Sequence, residues 1–191
     1  GWGGATAMVG LFQRAFFDAE TGSLGEYFDA QWRPIAGPES AVREPGHQFE
    51  WVWLLQQYIQ ASGRTDLNAT TERLFQFGTR HGINPEGPMQ GAVYDEVDKS
   101  GAPRARSMLM WSQTEYVKAC VARFDATGQT VYRDKALAHW QLMRTRFFRQ
   151  DGCNWINQVG PRGEPLVNDT LSRVLYHVVH SACERARLEK A

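Results

Sequence analysis

Three stretches of the chain place ionisable and aromatic side chains at spacings that a helix turns into a common face. In Pro45-Gly46-His47-Gln48-Phe49-Glu50, His47 and Glu50 lie three residues apart, hence on one side of a helix. In Trp111-Ser112-Gln113-Thr114-Glu115, Trp111 and Glu115 share a side, with Gln113 between them. Tyr176-His177-Val178-Val179-His180, followed by Ser181 and Glu184, offers two imidazoles one turn apart. An imidazole titrates at about pH 6.5 and so can take or give a proton next to a carbonyl at neutral pH. Buried carboxylates and imidazoles need partners. Three such segments point to one polar cavity where their helices converge. Tryptophan and tyrosine around polar groups suit sugars, whose ring faces stack while their hydroxyls take hydrogen bonds.

Each residue also has an ordinary structural use. His47 could cap a helix start, Glu50 could favour the positive end of a helix dipole, and Trp111 could be plain core. His177 and His180 could be one core and one surface histidine. The two could also face an ion, but there is no HExxH and no dense carboxylate cluster, so no metal is expected. The sequence holds no GxSxG, phosphate-loop or dinucleotide fingerprint, and no cofactor is expected. His81 and His139 are assigned no role.

Apolar spacing predicts the elements that carry these groups. Six helices are expected, over 5–17, 46–61, 65–80, 107–126, 130–149 and 169–188. Met8, Leu11, Phe12, Ala15 and Phe16 form the stripe of the first. Gly63 and Gly128 sit where tight helix-to-helix turns need a left-handed residue. The remaining connections, 18–45, 81–106 and 150–168, are long. Each contains a strand-like run, at 24–28, 92–97 and 153–156, and hairpin turns are expected at 98–101 and 160–163. A helix, turn, helix and long loop thus recur at a steady period, the pattern of an αα array. The 46–61 helix carries Glu50 as its only formal charge, with Phe49, Trp51, Val52, Trp53, Leu54, Leu55, Tyr58 and Ile59 all round, and is expected to be buried on every side. The 65–80 and 130–149 helices are mixed and charged, hence outer. The fold expected is an all-α αα-toroid whose inner and outer helices alternate, with short β-hairpins in its long loops.

Composition limits the partners. The 191 residues hold 21 Lys+Arg against 21 Asp+Glu, with 42% hydrophobic and 12% aromatic content, including seven Trp. A neutral total without like-charge runs gives neither a nucleic-acid footprint nor a polybasic membrane patch. No stretch approaches the roughly 18 apolar residues of a membrane span. The start, Gly1-Trp2-Gly3-Gly4, has neither an initiator Met nor the basic and apolar blocks of a secretory signal. Cys120, Cys153 and Cys183 are odd in number and widely spaced, which suggests a reducing, cytoplasmic setting. Cys120 and Cys183 fall in helical apolar patterns and read as small core residues. Asn68-Ala69-Thr70 and Asn168-Asp169-Thr170 match a glycosylation triplet that carries no weight without a signal peptide.

The segment Glu44-Pro45-Gly46-His47-Gln48-Phe49-Glu50-Trp51-Val52-Trp53-Leu54-Leu55 resembles the PGHxxEWxWLL segment of the N-acylglucosamine 2-epimerase superfamily. That superfamily also contains cellobiose 2-epimerases, mannose isomerases and sulfoquinovose isomerase. Trp111-Ser112-Gln113-Thr114-Glu115 is similar to its W-x-Q-[TA]-E segment, and Tyr176-His177 followed by Glu184 to its closing YH…E motif. The resemblance spans essentially the whole chain and the C-terminal half of the family's (α/α)6 barrel, about three hairpins.

It implies His47 and His177 as the acid–base pair at C1/C2 of a ring-opened sugar. Glu50 would bind hydroxyls and tune His47, Trp111 would stack on the sugar, and Gln113 and Glu115 would support it. His180 lies outside the motif. Neither metal nor redox cofactor is implied. The family's further active-site groups, an Arg and another His, belong to the half that is missing here. The chain is therefore expected to be a single domain over 1–191 and a piece of a longer protein, inactive alone or paired with the missing half or with a second copy. The wording of the Trp111 and His177 motifs leans toward the mannose-isomerase-like branch. Two other functions stay open: a glycoside hydrolase or lyase using Glu50 and Glu115, and a non-catalytic αα-scaffold.

Overall fold

The computed structural model describes residues 3–150 and 154–189. Helix α1 (Gly3–Leu11) runs into a π-helical turn at Phe12–Phe16. Then come α2 (Pro45–Ser62), α3 (Asn68–His81), α4 (Met110–Thr127), α5 (Thr130–Arg146) and α6 (Leu175–Leu188). Gly63 and Gly128 close α2 and α4 with φ of 76° and 68°, and their N–H groups bond the carbonyls of Ile59 and Phe124. These are left-handed caps that a residue with a Cβ adopts only at a cost. Pro45 opens α2, where its missing N–H loses nothing.

The even spacing of helix starts survives: α2, α4 and α6 open at Pro45, Met110 and Leu175, at equal intervals. His47, Ser112 and His177 are therefore equivalent positions, and so are Glu50, Glu115 and His180. Helix α6 starts later than its periodicity suggests. The Thr170 hydroxyl donates to the Trp155 carbonyl at 3.0 Å and accepts the Trp155 N–H at 3.3 Å, holding that segment extended. A 3-10 turn at Ser172–Val174 then leads into the helix.

Three small antiparallel sheets tie the loops to the helix starts. They are β1 (Phe17–Asp18) with β2 (Ser23–Leu24), then β3 (Val42–Arg43), β4 (Glu96–Asp98) and β5 (Pro103–Ala105), and last β6 (Met108–Leu109), β7 (Gln158–Val159) and β8 (Pro165–Val167). The expected hairpin turns join β4 to β5 and β7 to β8, closed by Gly101 N–H to Asp98 and Gly163 N–H to Gly160. The strand-like runs are shorter than expected. Leu24 alone of 24–28 is in a strand, while Phe28, Val93 and Trp155 make isolated bridges. Cys153, in the third run, lies outside the described residues. Strands β3 and β6 lead directly into α2 and α4, and each pairs with the hairpin of the following loop. The N-terminal ends of α2 and α4 are thus held by sheet ladders.

Helix α4 is the centre of the packing. It lies between α2 and α6, with α5 behind it, and α3 lies behind α2. Met110 and every residue from Ser112 to Arg123 are buried. Helix α2 departs from the expectation of burial on every side. Phe49, Val52 and Leu55 are fully buried, each such side chain contributing about 1.5–3 kcal/mol. His47, Glu50 and Trp51 are only half-buried, however, and Leu54 is 40% exposed. That stripe of α2 faces the hollow of the half-ring.

Leu175, Tyr176 and Val179 of α6 are likewise 48–52% exposed. Cys183 follows them on the same open stripe and is exposed, in contrast to its expected core position, while Cys120 on α4 is buried as expected. On α1 and the turn that follows it, Val9 and Phe12 are the buried anchors, and Met8, expected on the core stripe, is 54% exposed. Among the described residues no helix is long and apolar enough to cross a membrane.

Candidate active site

His47 is the third residue of α2, half-buried at the hollow. Its Nδ1 is 2.8 Å from Glu26 Oε2 and 3.4 Å from Glu44 Oε2. The other Glu26 oxygen accepts the Glu44 N–H at 3.0 Å. The loop that carries Glu26 is clamped to α2 by Gln48, whose amide accepts from Leu24 N–H at 2.6 Å and donates to Leu24 O at 3.1 Å. Burial opposes charge on the His47 ring. The Glu26 hydrogen bond and the carboxylates of Glu26, Glu44 and Glu50 outweigh it and push the pKa up to about 9. His47 therefore rests as an imidazolium at neutral pH.

His177 is the third residue of α6 and is buried. Its Nδ1 is 2.6 Å from Glu115 Oε1. Glu115 comes from α4 and is wholly inaccessible to solvent. Its second oxygen is 2.8 Å from Lys118 Nζ, one turn further along α4. That approach lies off the hydrogen-bond axis, so the attraction is that of an ion pair. Lys118 is itself buried, with its ammonium 4.4 Å over the Trp53 ring. The Trp53 indole N–H donates to Glu184 at 3.0 Å.

The Trp111 ring lies between the two histidines, its centroid 4.9 Å from that of His47 and 5.6 Å from that of His177. Its position is set by a close helix approach. A Cβ on Gly46 would stand 2.6 Å from Trp111 Cη2 and 2.7 Å from the Ser112 hydroxyl. Glu50 completes the group. Burial and the neighbouring Glu115 push its pKa up, against the opposing pull of His47, Lys118 and His177.

His47, Glu50, Trp111 and His177 line one cavity of about 300 Å³ together with Arg173, Val174 and Tyr176. A second cavity of about 300 Å³ shares His47 and Glu50 and continues past Glu26, Trp32 and Trp51 toward α1. Both are at the small end of ligand sites, which run from about 300 to 1,000 Å³.

Gln113 is brought close but faces elsewhere. Fully buried, it accepts from Val93 N–H at 2.8 Å and donates to Val93 O at 2.9 Å and Leu109 O at 3.0 Å. Its amide is consumed in holding a loop, as is that of Gln48 at the equivalent position. Gln113, expected to support the stacking group and the sugar, thus holds this loop and is not among the residues lining the cavity. Glu115 does not line the cavity; it acts on the site through its bond to His177 and its charge beside Glu50. His180 packs at a tilt near Trp53 and edge-on to Tyr176 and is not among the residues lining the cavity. His139 is buried against Tyr116, and burial pushes its pKa down to about 3.

Glu26, Lys118, Arg173 and Tyr176 carry no site assignment from the sequence alone. Only Tyr176 had a signal there, inside the quoted YH motif. Two trios, Glu26 with Glu44 and His47, and Glu50 with Glu115 and His177, bring potential ligand atoms within 4.8 Å of one another. In the second, the Lys118 ammonium already holds a Glu115 oxygen and disfavours a further cation.

Residues 3–181 match the sequence model of the N-acylglucosamine 2-epimerase (GlcNAc 2-epimerase) family. The chain belongs to this family. A relative from Rhizobium meliloti (strain 1021), named mannose-6-phosphate isomerase, is 36% identical over 134 residues, covering 70% of the chain and 34% of the relative. Among solved structures, a D-mannose isomerase superposes with a TM-score of 0.79 at 16% identity, covering 96% of the chain and 50% of that protein. Cellobiose 2-epimerase from Bacillus thermoamylovorans B4167 gives 0.81 at 14% identity, over 96% and 48%. This N-acylglucosamine 2-epimerase family chain thus has the αα-toroid fold of those enzymes and spans about half their length.

Proposed function

We propose that this chain supplies the proton-transfer half of a sugar isomerase that interconverts an aldose and a ketose at C1/C2. The observation that carries this reading is the paired imidazoles in one cavity. Each has Nδ1 tied to a carboxylate, so Nε2 is left for chemistry, and Trp111 lies between them. His177 Nε2 takes the proton from C2 of the open-chain aldose while the His47 imidazolium protonates the carbonyl oxygen, giving an enediol. Return of the carbon-bound proton to C1, with loss of the O2 proton to His47, yields the ketose. Rotation of the enediol about C2–C3 before the proton returns to C2, with loss of the O1 proton to His47, yields the epimer instead. Isomerisation is favoured because the curated relative that covers most of the chain is named an isomerase.

In this reading Glu50 binds sugar hydroxyls and Trp111 stacks on the sugar carbons, supported by their shared position on the cavity wall. The open stripe of Leu175, Tyr176 and Val179 on α6 and the half-length match support the view that a complementary half-ring completes the barrel. A hydrolase reading, with Glu50 and Glu115 as the carboxylate pair, is disfavoured by Glu115. Both of its oxygens are engaged, one by His177 and one by Lys118.

The test is solvent exchange in D2O with the full-length protein and candidate aldoses, read by NMR. Deuterium at C1 of the ketose is expected. Reducing ends released from an oligosaccharide without label in the monosaccharide pool would replace this reading with hydrolysis.

Arg173 extends the reading to substrate choice. It stands on the cavity wall with no carboxylate partner among the described residues. A charge-assisted hydrogen bond to an anionic group is worth about 1.5–3 kcal/mol, or roughly ten- to a hundredfold in affinity. A phosphorylated aldose is accordingly expected to bind better than its free form. Arg173→Ala raises KM for the phosphorylated sugar at least about tenfold and for the free sugar by much less. Equal changes for both would remove Arg173 from substrate selection.

A further inference from the structure

The two histidine–carboxylate pairs differ in what holds the far oxygen of each carboxylate. Glu26 offers its second oxygen to a neutral donor, the Glu44 N–H. Glu115 offers its second oxygen to a full positive charge, Lys118 Nζ at 2.8 Å, in a site closed to water. Lysine is almost never fully buried unless paired, and an ion pair away from water interacts several times more strongly than one at the surface. From this asymmetry, and on the reading of His177 as the proton acceptor, we propose that Lys118 is a positioning residue that keeps His177 unprotonated at rest. It does so by neutralising the Glu115 charge that would otherwise hold a proton on the imidazole.

The remaining groups facing His177 do not supply this contrast. Glu50 from α2 brings a carboxylate within 4.8 Å of the Glu115 and His177 ligand atoms, so it favours protonation. His47, across Trp111, is cationic and opposes it, and Arg173 on the cavity wall acts in the same direction. Tyr176, with its ring 3.8 Å from that of His177, is uncharged at neutral pH. Lys118 alone is locked to the carboxylate that contacts the ring. Its own place is fixed by the Trp53 face beneath it and by the Trp53 indole bond to Glu184. The device needs α2, α4 and α6 together, because Trp53, Glu115 with Lys118, and His177 with Glu184 come one set from each.

The consequence is a division of labour. His47 sits among three carboxylates, none of which is ion-paired to a lysine or arginine among the described residues, and rests as a donor. His177 sits on a carboxylate whose charge is already matched and rests as an acceptor. One enzyme form then begins the cycle from the aldose without waiting for a proton to move between the two rings.

The experiment is an NMR titration of the His177 Cε1–H in the full-length protein without substrate, identified by its loss in His177→Asn. Three substitutions are compared, each checked for unchanged circular dichroism. Lys118→Met keeps the stem over Trp53 and deletes the charge, and it is expected to raise the His177 midpoint by about one pH unit, a tenfold change in proton affinity. Lys118→Gln keeps a hydrogen-bond donor without charge and is expected to shift the midpoint equally. Lys118→Arg is expected to restore the wild-type value. A midpoint unchanged in both neutral variants overturns the proposal. So does a Gln variant that behaves like wild type, which would assign the effect to hydrogen bonding. Where Met does not fold, the Gln and Arg pair decides alone. The readout involves no turnover, so it is independent of whether the solvent-exchange test finds an isomerase.

Discussion

His177→Asn is expected to lower kcat for aldose–ketose conversion by about 10²–10⁴-fold, the range lost when a positioned acid–base group is removed. KM should change by no more than a few-fold, because Trp111, Glu50 and Arg173 still line the cavity. Asparagine retains a hydrogen-bonding group near Glu115, whose other oxygen stays with Lys118, so the carboxylate is not stranded. That choice matters, since leaving a buried charge unpaired is strongly destabilising. The corresponding solvent-exchange measurement separates chemistry from binding. Label should enter the substrate at a rate reduced by the same factor as turnover. Activity retained above one-tenth of wild type with an intact thermal melt would remove His177 from the reaction.

Glu26→Gln carries the second large effect, on the pH profile. In the wild-type protein the His47 imidazolium persists up to about pH 9. Activity that requires it should fall on the alkaline side with an apparent midpoint near that value. The Gln substitution removes the carboxylate that supplies the leading favourable influence while Glu44 and Glu50 remain. The alkaline limb should move down by more than about one pH unit, so turnover measured near pH 8 falls severalfold to tenfold. At pH 6 the two proteins should differ little.

Stability follows the same sign. The folded-state pKa is raised above the ordinary imidazole value of 6.5, so the contribution of this group is fully present below that pH and fades as pH rises through about 9. An alkaline limb that stays near pH 9 in the variant would show that His47 does not set it.

The helical scaffold was legible because apolar residues recur at helical spacing and glycines mark the turns. Gly63 and Gly128 closed α2 and α4 where expected, and the hairpin turns at 98–101 and 160–163 needed only local residues. Burial by comparison depends on neighbours. Helix α4 is the one enclosed, although α2 is the more apolar, because α4 has helices on both flanks and behind it. Cys183 and Met8 look like core in a periodic pattern, but their stripes face open space.

The site was partly legible for the same reason. His47, Glu50, Trp111 and His177 lie on helix starts, where spacing fixes direction. Glu26 arrives from a loop, and no spacing rule links it to His47. Lys118 lay within a helical pattern as one more charged residue, and nothing in the sequence says that a lysine there is sealed against Trp53. Gln113 shared its helix face with loop backbone rather than with the cavity, a distinction that only the packing of Val93 reveals.

The contact of Gly46 with the Trp111 indole has a bearing on how this scaffold diversifies. The gap across which the two imidazoles look at each other is gauged by main chain resting on an aromatic edge, with no side chain in between that could be trimmed or lengthened. Any larger residue at position 46 must displace the Trp111 ring or part the two helices, and either change disturbs the space between His47 and His177. Adaptation to bulkier or differently decorated saccharides is therefore steered to the rim, where Trp32 stands on a loop and Arg173 on the 3-10 turn before α6, while the floor of the hollow stays at constant width.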